Sequence, residues 1–223
     1  MKLAIFDFDG TLFPKDTLPF LLSQRKDLHC SRFTTYKLYL SLIPLFLKYK
    51  LEILTKLSRE QMKVLAVKKF NYIFKGMSEP ELITFFSGCS EKAQDLLNKS
   101  VVQEVERARA EGFHTVLLSG TYDYLLAEVG KSLHFDTVIG TKMHFTNGRF
   151  DPDVDLEIVI GEMKLKRVYQ AFENQEINWE ESRAYADGFS DLDLLLAVGS
   201  PIAVRPDAKL RALAEEKKWR IIS

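Results

Sequence analysis

The first apolar run, Leu3-Ala4-Ile5-Phe6, is short and unbroken, and Asp7-Phe8-Asp9-Gly10-Thr11 follows it at once. Residues 2–9 therefore read as a buried strand that ends in acids. From about Pro14 to Asn98 the pattern changes. Aromatic and leucine residues recur at helical spacing with lysines between them, and no strand-like alternation intervenes. This predicts a bundle of helices with turns at Ile43-Pro44, Lys75-Gly76 and Glu79-Pro80.

After Asn98, strand and helix alternate. Ser100–Ala110 reads as a helix with Val101, Val105 and Ala108 on one face and Gly112 as its stop signal. Strand Phe113–Leu118, helix Tyr122–Leu133 and strand Phe135–Ile139 follow. Asn147-Gly148 has the chemistry of a hairpin turn. Helices over 162–174, 192–198 and 209–218 then alternate with strands over 182–186, 201–204 and 220–222. Such alternation predicts an α/β fold: a Rossmann-like, mostly parallel sheet with helices on both faces. The helical stretch interrupts it directly after the acidic strand end. The expected organisation is a discontinuous core, 1–13 and 98–223, with an all-helical cap, 14–97. Ligands of such sheets bind beyond the carboxyl ends of the strands, where the insert would overhang as a lid.

Composition narrows the chemistry. The 223 residues carry 31 basic and 31 acidic side chains, so the chain has no basic footprint for nucleic acid. Cys30 and Cys89 form no ligand spacing or disulfide framework, and read as idle thiols in a reducing compartment. His29, His114, His134 and His144 are scattered, without the spacing of a zinc site. The first apolar run lacks a basic leader and is too short for a signal peptide. Leu38–Leu47 is uncharged, but a bilayer span needs about 20 residues. The expectation is a cytoplasmic protein.

Four polar clusters sit at predicted strand ends or helix starts: Asp7-x-Asp9-Gly10-Thr11, Ser119-Gly120-Thr121, Lys164, and Asp187-Gly188-Phe189-Ser190-Asp191. Each has a plain structural explanation taken alone: an acidic turn, a helix cap, a surface lysine, a second cap. In a parallel sheet, however, the strand ends share one edge. Two acidic clusters would then meet around a cation, because paired carboxylates repel unless a positive charge lies between them. A hydroxyl and an ammonium would face a phosphate, with Gly10 turning the chain so that amides can approach an anion.

In this order and context the motifs resemble those of the haloacid dehalogenase-like superfamily, and the place and length of the insertion resemble subfamily IB, the phosphoserine-phosphatase-like group. Val138-Ile139-Gly140-Thr141, Asn147-Gly148-Arg149-Phe150 and the tail Val198–Asp207 add to the likeness. The resemblance implies phosphomonoester hydrolysis through an aspartyl-phosphate, with Mg2+ as cofactor. Asp7 would be nucleophile and metal ligand. Asp9 would be general acid and then base, its carbonyl also on the metal, with its acidity lowered by acidic neighbours. Asp187 would bind the metal directly and Asp191 through water. Ser119, Gly120, Lys164 and Thr11 would hold phosphoryl oxygens. Ser190 stands where phosphoserine phosphatases have Asn, and Asp16 where they have a Glu that contacts the substrate amine. Asp16 could instead cap the helix that starts at Thr17.

The leading expectation is thus a phosphatase for a small phosphorylated molecule. Asp9 argues against dehalogenation, since halide leaves without a proton; transfer to an acceptor other than water would use the same residues. A second reading places the phosphate on a membrane lipid, because Tyr36–Leu54 is rich in Leu, Phe and Tyr with Lys37, Lys48, Lys50 and Lys56 around it. A buried bundle face explains that stretch as well and is preferred. A third reading is a non-catalytic phosphate-binding regulatory module. Arg25, Arg32 and Arg59 are further candidates for anion contacts.

Overall fold

The computed structural model describes residues 1–24, 32–50 and 58–223. Six strands form one parallel sheet in the order β3-β2-β1-β6-β7-β8. They are β1 (Leu3–Asp7), β2 (His114–Tyr122), β3 (Thr137–Thr141), β6 (Arg183–Ala186), β7 (Ser200–Val204) and β8 (Arg220–Ile222). Helices α5 (Lys99–Ala110), α6 (Asp123–Ser132), α7 (Glu162–Ala171), α8 (Leu192–Leu196) and α9 (Ala208–Glu216) connect them. All five residues of β1 are buried. Ala4 and Phe6 join one apolar cluster, and Leu3 and Ile5 join another. Burial on both faces is why this strand reads as a continuous apolar run rather than an alternating one.

Register sets the site. β1 pairs with β2 from Leu3 opposite His114 to Asp7 opposite Leu118. It pairs with β6 through Phe6 opposite Tyr185. The residues that follow, Ser119 on one side and Asp187 on the other, thus flank Asp7 at the carboxyl edge.

The helical insert comprises α1 (Thr17–Ser23), α2 (Arg32–Lys50), α3 (Arg59–Phe70), a 3-10 turn at Asn71–Phe74 and α4 (Glu79–Gln94). A capping box starts α3: Ser58 Oγ accepts the Gln61 N–H at 3.1 Å and Gln61 Oε1 accepts the Ser58 N–H at 3.1 Å. The insert shares its apolar interior with the core. Phe74 lies within aromatic contact of Phe86, Tyr122 and Phe150, and the Tyr122 hydroxyl donates to Asn71 Oδ1 at 2.7 Å. A hairpin, β4 (Phe145–Thr146) and β5 (Arg149–Phe150), grips the loop before α4. Gly76 N–H donates to Phe150 O at 3.1 Å and Phe150 N–H to Met77 O at 2.8 Å.

Several boundaries differ from the sequence reading. Pro44 lies inside α2 rather than at a turn. Pro44 and Leu40 are both exposed, so water can take the carbonyl that a proline without N–H releases. β2 runs four residues past Leu118, with its register to β3 shifted between Leu118 and Tyr122. Ser119-Gly120-Thr121, expected to cap a helix from Tyr122, is therefore an irregular strand end, and α6 begins at Asp123. Asn147-Gly148 does make the hairpin turn, both residues having positive φ (52° and 74°). Cys89 is buried, whereas Cys30 and Arg25 lie outside the described residues.

Candidate active site

Asp7 is buried at the end of β1 and held from two sides. Lys164 Nζ donates to its Oδ1 at 2.6 Å, and Thr11 Oγ1 donates to Oδ2 at 3.3 Å. The tight turn after β1 supplies Thr11: Thr11 N–H donates to Phe8 O and Gly10 N–H to Phe13 O. Gly10 has φ +83°, and a Cβ there would fall 2.4 Å from the Asp187 carboxyl carbon. Only glycine allows both the turn and this approach, which brings the second acidic cluster against the first.

Lys164 lies in the first turn of α7, after Gly161 at φ +58°. It is 5% exposed and also donates to Asp191 Oδ2, at 2.7 Å. The surface-lysine alternative does not hold. Burial pulls its ammonium towards neutrality, but Asp191 and Asp7 outweigh that and raise it above the ordinary lysine value. Asp191 is raised by burial, with the Lys164 charge opposing. Lys164 thus fixes two carboxylates taken from chain segments far apart in sequence.

Asp9 faces the lid. Its Oδ1 accepts the Thr17 N–H at 2.9 Å and a short bond from Thr17 Oγ1. Asp9, not Asp16, therefore receives the first amide of α1, and Asp16 makes no side-chain capping bond. The Asp16 side chain is 62% exposed at the cavity mouth, 3.9 Å from Lys63 Nζ. The Asp9 carboxyl is raised to about 6. Burial is the main cause, and the acidic neighbours named in the sequence reading, here Asp7 and Asp16, add less. Lys63 and the Thr17 bond pull the other way.

These groups line one cavity of about 460 Å3 between the sheet edge and the insert. Asp7, Asp9, Ser119, Gly120, Lys164, Asp187, Ser190 and Asp191 all reach it, with Asp16 at its rim. Buried Ser119 accepts the Thr121 N–H on its Oγ at 3.2 Å, which leaves the O–H to donate. At Gly120 a Cβ would fall 2.6 Å from Ile160 Cγ1, so the strand end and the segment before α7 meet only over glycine.

Two cavity residues escaped the sequence reading. Thr121 Oγ1 is buried without a hydrogen-bond partner among the described residues, although it stands in a motif already singled out. Lys63 comes from α3, and its positive charge acts on both Asp9 and Asp191. Its signal was present: Lys63 shares a helical face with Ala66, Val67 and Phe70, which are buried, so it is a lone lysine on an apolar stripe.

The donor set suits a hard divalent cation. Asp7, Asp9, Asp187 and Asp191 bring four carboxyl groups to the cavity and Lys164 only one buried ammonium. Gly10 keeps open the space that a side chain would fill against Asp187. Among the described residues, no three His, Cys, Asp or Glu side chains converge closely enough to hold a metal by themselves. A site here would therefore need backbone, water or substrate oxygens as further ligands, which is how magnesium is commonly held.

A profile of haloacid dehalogenase-like hydrolases matches residues 4–196. The chain belongs to the haloacid dehalogenase-like hydrolase family. Phosphoserine phosphatase SerB1 of Mycobacterium tuberculosis is 31% identical over 105 residues, covering 47% of this chain and 34% of its own length. Histidinol-phosphatase of Neisseria meningitidis serogroup C is 28% identical over 123 residues, 53% of this chain and 55% of that protein. The chain thus spans about a third to a half of the length of these relatives. A crystal structure of a protein of unknown function from Bordetella pertussis Tohama I covers 100% of this chain and 98% of its own, with a TM-score of 0.81 at 23% identity. That likeness concerns the fold alone.

Proposed function

We propose that this protein is a magnesium-dependent phosphatase that hydrolyses a small phosphomonoester through an aspartyl-phosphate on Asp7. The observation that carries the reading is the buried Asp7 carboxylate at the end of the central strand, oriented by Lys164 and Thr11 at the floor of a cavity that also holds Asp9, Ser119 and Asp187. Family membership and relatives named phosphoserine phosphatase and histidinol-phosphatase support it.

In this reading Asp7 attacks phosphorus as the bond to the leaving alcohol breaks, and Asp9 gives its proton to that alcohol oxygen. A carboxyl raised to about 6 can hold that proton near neutral pH. Asp9, now a carboxylate, then takes a proton from water as the water attacks phosphorus and Asp7 leaves. Lys164, the Ser119 hydroxyl, the Gly120 amide and Ser190 bind phosphoryl oxygens and offset their charge, whereas Thr11, expected beside them, is buried outside the cavity and holds Asp7 instead. The acidic cluster Asp7, Asp187, Asp191 and the Asp9 carbonyl would hold Mg2+, which supplies charge neutralisation between two anions. The insert, 14–97, serves as the lid that selects the leaving group and excludes water.

The test is turnover of 4-nitrophenyl phosphate with and without Mg2+. The reading predicts metal-dependent hydrolysis that Asp7→Asn abolishes while circular dichroism shows an unchanged fold. Equal turnover by that variant would refute it.

A further inference from the structure

The chemistry of the lid wall differs from that of the floor. Opposite the acids, α1, α2 and α3 line the cavity with Leu18, Leu22, Leu42, Met62, Val67 and Phe70. Of the polar residues of the insert that reach it, Thr17 is engaged, and Asp16 and Lys63 stand at the rim rather than in the apolar wall. Thr17 gives its N–H and O–H to Asp9. Asp16 and Lys63 face one another at 3.9 Å at the rim, and the Lys63 charge acts on Asp9 and Asp191, on the phosphoryl side. The Tyr122 hydroxyl is spent on Asn71. Among the described residues the lid therefore offers no amide or uncommitted hydroxyl to a leaving group. A site that accepts a sugar or an amino-acid zwitterion must replace the water those groups lose, since a buried polar group without a partner is costly. Inside the charged rim, this wall would strip that water and return nothing. Towards an alkyl or aryl body it gives burial instead. The wall also continues outwards: Ile43 lines the cavity and is 51% exposed, in a row with exposed Tyr36, Leu40 and Leu47 on α2.

We propose that the leaving alcohol of the substrate is apolar, an alkyl or aryl body seated against α1, α2 and α3, and not an amino acid or a sugar. The inference rests on the phosphatase reading for turnover, but its binding component can be measured without it.

The experiment is a series of n-alkyl phosphates from ethyl to hexyl, whose leaving alcohols differ little in acidity, beside O-phosphoserine and glucose 6-phosphate, all with Mg2+. The expected result is a rise in kcat/KM of about fourfold per added methylene, with hexyl phosphate well above both polar esters. Met62→Gln and Leu42→Asn should flatten the slope. The matching alkylphosphonates, which cannot be hydrolysed, are titrated by calorimetry. Tightening with chain length in the absence of any turnover would uphold the apolar site and overturn the phosphatase reading. Turnover that is flat along the series, or highest with O-phosphoserine, would overturn the apolar site and leave the phosphatase reading standing. A dodecyl phosphate arm, offered free or in phosphatidylcholine vesicles, separates the sources. A clear advantage in vesicles assigns a membrane lipid, and equal or lower rates assign a soluble ester.

Discussion

Lys164 shows how a residue that looks ordinary in sequence becomes decisive once placed. With Lys166 and Arg167 beside it, its periodicity is that of an exposed helix face. Only its position after Gly161, at the first turn of α7, carries it under the sheet edge to Asp7 and Asp191. Lys164→Ala should weaken inhibition by inorganic phosphate by roughly 1.5–3 kcal/mol, the scale of a hydrogen bond to a charged group; inhibition constants for the two proteins measure it. Asp9→Asn should slow esters of poor leaving groups more than 4-nitrophenyl phosphate, because only the former need the proton. A uniform loss across a leaving-group series would remove Asp9 as the general acid. Gly10→Ala carries strain from its positive φ and a collision with Asp187. It should raise the Mg2+ concentration needed for half-maximal rate, read directly from a metal titration. That the Asp pairs and Ser119 share one sheet edge was legible in sequence because each stands at a strand end, whereas Lys164 stood out only through the order of the motifs around it. The burial that raises Asp9 was not legible, since it comes from α1 closing over it.

Elements explain what single residues cannot. The strand-helix alternation after Asn98 is regular enough that every core strand was found, with ends displaced by a few residues. β2 was cut short because Ser119-Gly120 looks like a break, whereas the sheet absorbs it through a register shift beside the site. In the insert, periodicity gave helices but not their partners. Leu38 and Leu45 are buried, as a bundle face requires, yet Tyr36, Leu40, Ile43 and Leu47 form an exposed row on the same helix. Within α2 the preferred buried-face reading thus holds for one side only, and residues 51–54 of that stretch lie outside the described residues. The hairpin's hold on the insert was likewise invisible, because the contact of Phe150 with Phe74 and the Gly76 loop joins segments 75 residues apart or nearly so. Phe150 is 2% exposed. Phe150→Ala should cost about 3–5 kcal/mol, as large-to-small core changes of an aromatic do, read from urea denaturation followed by fluorescence.

At the scale of the whole molecule, the far side of the sheet is tied by Glu104. Its carboxylate accepts both guanidinium N–H groups of Arg220, at 2.9 and 2.7 Å, the Tyr185 hydroxyl at 3.0 Å and Arg107 at 2.9 Å. Helix α5, central strand β6 and the last strand β8 are thereby joined. Burial alone would raise this carboxyl, but the Arg220 and Tyr185 hydrogen bonds outweigh it and hold it below the ordinary glutamate value. A depressed acid stabilises the fold when ionised. The contribution is full above the unfolded-state value and fades as pH falls through the folded one. Urea midpoints should therefore show Glu104→Gln less stable than the wild type near neutrality, by roughly 1.5–3 kcal/mol, with the gap closing as pH falls below about 4. An unchanging gap would contradict the assignment.

In the proposed mechanism Asp7 is the group that takes phosphorus in the first step. The most direct measurement is an acid quench during turnover of a radiophosphate-labelled monoester, followed by peptide mapping of the trapped protein. The label should lie on the peptide that contains Asp7, be released by mild base as an acyl phosphate is, and vanish in Asp7→Asn. Turnover without any protein-bound label, or label on a different peptide, would contradict it.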